Sequence, residues 1–161
     1  MSDFPAKILL ATDGSEDSGV AARAAIELAN DTGAELHVVH VGESHLVHPP
    51  PTAGGPPMPA PSKNELRQAA QGVLDHQVQE ITESGGKVEE AHLLLGRPAE
   101  EILRLSEEIV AGLIVVGNQG LSGRFSRMKR FVMGSVSENV ARYARCSVMV
   151  ARRDLYDRPA P

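Results

Sequence analysis

Apolar positions along the chain switch repeatedly between two rhythms. A short continuous run, Lys7–Thr12 (KILLAT), predicts a buried strand, and Asp13-Gly14-Ser15 breaks it with Ser15 as a helix N-cap. Val20, Ala21, Ala24, Ala25, Leu28 and Ala29 then recur at helical spacing, and Gly33 offers a left-handed C-cap. Ala34–Val41 predicts the second strand. After a proline-rich interval, Ser62 caps a helix with Leu66, Ala69, Ala70, Val73, Leu74 and Ile81 on one face. Lys87–Leu95 is the third strand, and Pro98 opens a helix carried by Ile102, Leu103, Ile109 and Val110. Leu113–Gly117 (LIVVG) is the most strongly apolar strand, Ser135–Ala144 a helix and Ser147–Ala151 the last strand.

Such alternation predicts an α/β domain: an open five-stranded parallel sheet with helices on both faces and right-handed crossovers. In such sheets ligands bind beyond the carboxyl ends of the strands, where strand order reverses. The length of 161 residues fits one domain over 1–161. Between Leu46 and Pro61 stand seven prolines, which remove backbone donors and fix φ, so residues 46–61 are expected to form a loop. Residues 154–161 read as a polar tail.

Composition narrows the function. A net charge of −5 argues against a general nucleic-acid binder, which needs a basic face. No apolar run reaches the length of a membrane helix, Met1–Lys7 has no signal-peptide core, and Cys146 is the single cysteine. The expectation is a cytoplasmic protein without membrane or nucleic-acid partners. His37 and His40 are three apart on a strand, so they point to opposite faces and cannot chelate one metal. Cys146 reads as inert, and Glu89, Glu90, Glu107 and Glu108 read as solvated charge.

The chemistry concentrates at the ends of the first and fourth strands. Val116 and Gly117 end a buried strand, Gly120 and Gly123 follow, and Gly134-Ser135 opens a helix. Glycine admits close backbone approach to phosphate oxygens, and a helix start offers unpaired N–H groups at the positive end of a dipole. The alternative is that these glycines only shape a surface loop. Neither GxxxxGK[ST] nor GxGxxG is present, so the usual P-loop and nicotinamide fingerprints are excluded.

These residues, with the opening KILLATDGS and the closing CSVMVAR, resemble the universal stress protein family over Lys7 to Arg152. Its ATP-binding branch carries G-x-x-G, nine residues, then G-[S/T]; here Gly117-x-x-Gly120 and Gly134-Ser135 match the ends, but thirteen residues, Leu121 to Met133, separate them. Four residues are therefore extra, around Arg124–Arg127, in the densest basic stretch of the chain. The resemblance implies ATP, or ADP or AMP, with Mg²⁺ or Mn²⁺. It places Asp13 near the ribose and the metal-bound phosphates, with Ala11 and Thr12 in the same turn. Val41 would meet the adenine edge, and Val116, Gly117, Gln119 and Gly120 the ribose and phosphates. Gly134, Ser135, Val136 and Ser137 would surround the phosphates from the helix start. It also implies a homodimer through Ser147–Ala151.

The reading is a nucleotide-dependent regulatory protein with slow hydrolysis at most. Two alternatives stay open: an ATPase or phosphotransferase using Asp13 and the metal, and an interaction module that works through Pro49–Pro61 without nucleotide.

Overall fold

The structure, a computed structural model, describes residues 4–43, 54–56, 59–119 and 133–153. Gly120, the four-residue insertion and most of the proline-rich interval lie outside the described residues, as does the tail from residue 154.

The elements run β1 (Lys7–Ala11), α1 (Glu16–Thr32), β2 (Glu35–Gly42), α2 (Lys63–Glu83), β3 (Val88–Leu95), α3 (Pro98–Glu108), β4 (Leu113–Gly117), α4 (Ser135–Tyr143) and β5 (Ser147–Ala151). The local signals act as their chemistry dictates. The Ser15 hydroxyl accepts the Ser18 N–H at the head of α1. Ser62 and Glu65 close a reciprocal capping box on α2. That box, through the Ser62 backbone N–H first and its hydroxyl second, holds the Glu65 carboxyl below the usual carboxylate range. Gly33 ends α1 in the left-handed region at φ 75.

All strand pairs are parallel, and the order is β3-β2-β1-β4-β5. The chain thus builds outward from β1 on one side, crosses through α3, and builds outward on the other. β1, β2 and β4 carry the fully buried Ile8, Leu9, Leu10, Val38, Ile114 and Val115. One core layer joins the sheet to α1 and α2 through Val20, Ala21, Ala25, Leu74 and Ile81. The other joins it to α3 and α4 through Ile102, Leu105 and Val140. Small alanines on the buried face of α1 let that helix lie close over β1 and β4.

Three expectations need correction. β1 ends at Ala11, whose pairing with Val39 is the last of the β1–β2 register, and the Thr12 N–H bond to the Val39 carbonyl (2.9 Å) closes that ladder. On α2, Ala70, Leu74 and Ile81 face inward as expected and Leu66 and Val73 are half-buried, but Ala69 is exposed and Gln77 joins the buried row.

Val110 is the third: it does not carry α3 but lies beyond its end, 81% exposed, at φ 56. Its N–H bonds to the Glu107 carbonyl and the Ala111 N–H to the Ser106 carbonyl, the paired bonds of a Schellman cap. α2 ends in the same motif with Gly85, at φ 88, in the equivalent place. A β-branched residue held left-handed is strained. Val110→Gly is expected to raise stability by about 1 kcal/mol, because relief of strain exceeds the added freedom of the unfolded chain. Urea unfolding checks this, and a stability at or below the parent's would show the strain to be absent.

Candidate functional site

A parallel sheet leaves a crevice where successive crossovers diverge to opposite faces. Here that point lies between β1 and β4. A cavity of about 460 Å³ opens beyond their carboxyl ends. Its wall contains Ala11, Thr12, Asp13, Val41, Val116, Gly117, Gln119, Gly134, Ser135, Val136 and Ser137. Every candidate residue from the sequence except Gly120 is thus brought to one cavity, and Gly120 lies outside the described residues. Val39, His40, Gly42, Glu43, Pro98, Ile102, Ser15 and Ser18 complete the wall.

The floor is a buried polar knot at the end of β1. Thr12 is 5% exposed, and its hydroxyl donates to Gln77 Oε1 (2.8 Å) and lies 3.3 Å from Ser18 Oγ. Ser18 Oγ itself donates to the Ser15 carbonyl (2.9 Å). His40 Nδ1 lies 2.8 Å from the Thr12 carbonyl. A carbonyl only accepts, so Nδ1 carries a proton and donates. Asp13 Oδ1 accepts the Ser15 N–H (2.9 Å), so Asp13 shapes the turn as well as lining the cavity. Gln77 and His40 were not anticipated. A glutamine midway along an amphipathic helix and a histidine within an apolar strand carry no local mark of a shared partner.

The rim is tied across the whole chain. Asp17 Oδ2, in the first turn of α1, accepts the Gln119 N–H (2.9 Å). Arg153 Nε lies 3.1 Å from the other Asp17 oxygen, and Arg153 also pairs with Glu16. The Asn118 carbonyl accepts from the Gly134 N–H (2.8 Å) and from Ser137 Oγ (2.9 Å), which fixes the start of α4 against the end of β4. Gly134 is the N-cap of α4 at φ −63 and supplies no side-chain cap. The first-turn N–H groups of Ser135 and Val136 therefore have no intrahelical acceptor, beside the cavity, at the positive end of the helix.

Gly117 has a second duty. A Cβ there would stand 2.7 Å from the Asp17 carbonyl carbon and 2.9 Å from the Ser18 nitrogen, so the absent side chain admits the backbone of α1. Gly117 therefore serves the packing of this end of the sheet in addition to lining the cavity.

The remaining candidates lie elsewhere. Cys146 packs half-buried at the head of β5, and burial pushes its thiol above the ordinary value, which suppresses the reactive thiolate. His37 and His40 do face opposite sides of β2, as the strand period requires, but Glu90 is not merely solvated: it lies within 3.9 Å of both His37 and His92. No helix among the described residues is long and apolar enough to cross a membrane.

A 3-2-1-4-5 parallel sheet with a cavity of mixed apolar and polar lining at its reversal point defines an open, doubly wound α/β protein. Residues 6–152 match the model of the universal stress protein family, and the chain belongs to that family. It is 34% identical to the universal stress protein YxiE of Bacillus subtilis, over 91% of this chain and 98% of that one. Identity to a universal stress protein of Methanocaldococcus jannaschii is also 34%, over 91% of this chain and 82% of that one. Among solved structures, a universal stress protein of Archaeoglobus fulgidus in complex with dAMP is 26% identical, with a TM-score of 0.62 over 90% of this chain and 96% of that one. A universal stress protein in complex with cAMP shares the fold, with a TM-score of 0.63 at 24% identity over 91% of this chain and 97% of that one.

Proposed function

We propose that this protein binds an adenine nucleotide, ATP foremost, in the cavity at the end of β1 and β4, and that occupancy rather than turnover is its output. The observation that carries the reading is the convergence of the described motif residues on one cavity whose wall includes an uncapped helix start. Its volume lies within the range of about 300–1,000 Å³ typical of small-molecule sites. Val39, Val41, Pro98 and Ile102 give an apolar wall suited to a purine. Gly134, Ser135, Val136 and Ser137 give N–H and hydroxyl groups suited to phosphate. Asp13 stands where it could face a ribose or a metal–phosphate group, and Mg²⁺ or Mn²⁺ would be held mostly by phosphate oxygens and water. The dAMP complex of the Archaeoglobus fulgidus relative supports the adenine assignment.

His40 and Asp13 on the wall each hold backbone of the β1 turn, His40 the Thr12 carbonyl and Asp13 the Ser15 N–H, which fixes the shape of the cavity for binding. β5 is an edge strand whose outer side pairs with no other strand among the described residues. Its Val148, Met149 and Val150 are half-buried, and pairing of Ser147–Ala151 across a two-fold axis would cover that edge.

Calorimetry on the full chain with Mg²⁺ is expected to give micromolar binding of ATP, ADP or AMP. Sedimentation of the same sample is expected to give twice the 17.2 kDa chain mass. Absence of binding by ATP, ADP, AMP and cyclic AMP alike would overturn the nucleotide reading, and a monomer would overturn the dimer. Steady ATP turnover within minutes would favour the enzyme.

A further inference from the structure

A second cluster of ligating side chains lies on β2 and β3. The parallel register places His37 opposite Glu90 and Val39 opposite His92. A register shift between Leu36 and His37 accommodates Glu89 as an extra residue, which brings Glu90 beside His37 and His92 onto the same face. His37 Nδ1 and His92 Nε2 are 3.1 Å apart, and Glu90 Oε2 lies 3.9 Å from the first and 3.7 Å from the second.

We propose that His37, His92 and Glu90 form a binding site for a divalent late transition-metal ion of the zinc class. Two nitrogens at about 2.0–2.1 Å from one tetrahedral ion lie about 3.3–3.4 Å apart, close to the spacing already present. A turn of one imidazole and a carboxylate shift of about half an ångström complete three ligands, with water as the fourth. Two neutral imidazoles and a carboxylate suit such an ion, whereas Mg²⁺ and Ca²⁺ prefer all-oxygen shells.

An independent observation comes from the far side of the His37 ring. The His37 side chain is 5% exposed, and its buried Nε2 has no hydrogen-bond partner. Glu35 Oε2 lies 3.5 Å from that nitrogen. Metal on Nδ1 fixes the proton on Nε2 and turns the N–H toward the Glu35 carboxylate, the outer-shell arrangement that orients metal-bound histidines. Carboxylates from three elements surround the pair: Glu35 on β2, Glu90 on β3 and Glu108 from α3, with Lys7 Nζ 3.9 Å from Glu35 Oε2. They offset the double charge of a bound ion. The site joins the edge strand β3 to β2, so it is expected to act as a clasp on the sheet edge.

The test uses the full chain without an affinity tag, stripped with EDTA and free of nucleotide. Zinc chloride is expected to bind one equivalent in calorimetry, and cobalt chloride to give the intense visible absorption of a tetrahedral site. At hundredfold excess over the dissociation constant, zinc should raise Tm by about 5–10 °C. His92→Gln and Glu90→Gln, on partly exposed side chains, should each weaken zinc binding at least about tenfold while metal-free melting stays near the parent's. His76→Gln, on exposed α2, should change nothing. Zinc affinity equal to the parent's in both ligand variants, or no micromolar binding by the parent, would overturn the site. Zinc binding should also persist unchanged in a Gly134→Asp chain, so failure of the nucleotide reading leaves this one standing.

Discussion

Replacing Gly117 by valine is expected to destabilise the protein by about 3 kcal/mol and to weaken nucleotide binding at least tenfold. The reason is steric and local. A Cβ at this position meets the Asp17 carbonyl carbon at 2.7 Å, the Asp17 oxygen at 2.8 Å and the Ser18 nitrogen at 2.9 Å. All three are backbone atoms in the first turn of α1, so no side chain can swing away. Either β4 or the head of α1 must move. The same turn carries Asp17, which holds the Gln119 N–H, and Ser18, which packs against Thr12. Displacement therefore reaches both the rim and the floor of the cavity. Gly117→Ala should show the same two effects at smaller size. Urea unfolding and calorimetry measure them, and an alanine variant with parental stability and affinity would show that the contact is not restrictive.

Gly134→Asp is expected to separate stability from binding. The backbone at Gly134, φ −63 and ψ 154, accepts any residue, so no strain follows. An aspartate N-cap supplies the missing acceptor for first-turn N–H groups and interacts favourably with the helix dipole. Stability should rise by a few tenths of a kcal/mol. The same carboxylate occupies donors intended for phosphate and places a negative charge beside it. Affinity for ATP should fall at least about tenfold, and affinity for adenosine much less. Equal losses for ATP and adenosine would mean that phosphate does not sit at the start of α4.

What the sequence made legible was local. Ser15, Ser62, Gly33 and Pro98 each mark an element end through their own backbone chemistry, and the structure places an end at each. Burial in β1, β2 and β4 follows the apolar runs. The residues matching the family motif were nameable because they stand at strand and helix ends, and the described ones reach one cavity. Hidden from the sequence were relations between distant segments. Strand order has no local signature. Gln77 faces Thr12 from a position 65 residues away, and Asp17 holds Gln119 from 102 away. The His37–Glu90–His92 cluster depends on a register shift that strand alternation alone would miss. Val110 reads as apolar periodicity but occupies a helix cap that glycine usually fills.

Strand order has one more consequence, for synthesis of the chain. β1 lies between β2 and β4, but β4 begins at Leu113, 106 residues after Lys7. At about 5–20 residues per second, the ribosome leaves one side of β1 without its neighbour for about 5–20 s. During that interval β1, paired first with β2 alone, has an open edge bearing Ile8, Leu9 and Leu10, side chains that the finished protein buries completely. Chaperone demand should therefore peak before β4 is synthesised. A chain stalled before Leu113 would contain most of the floor of the cavity without β4 to close it.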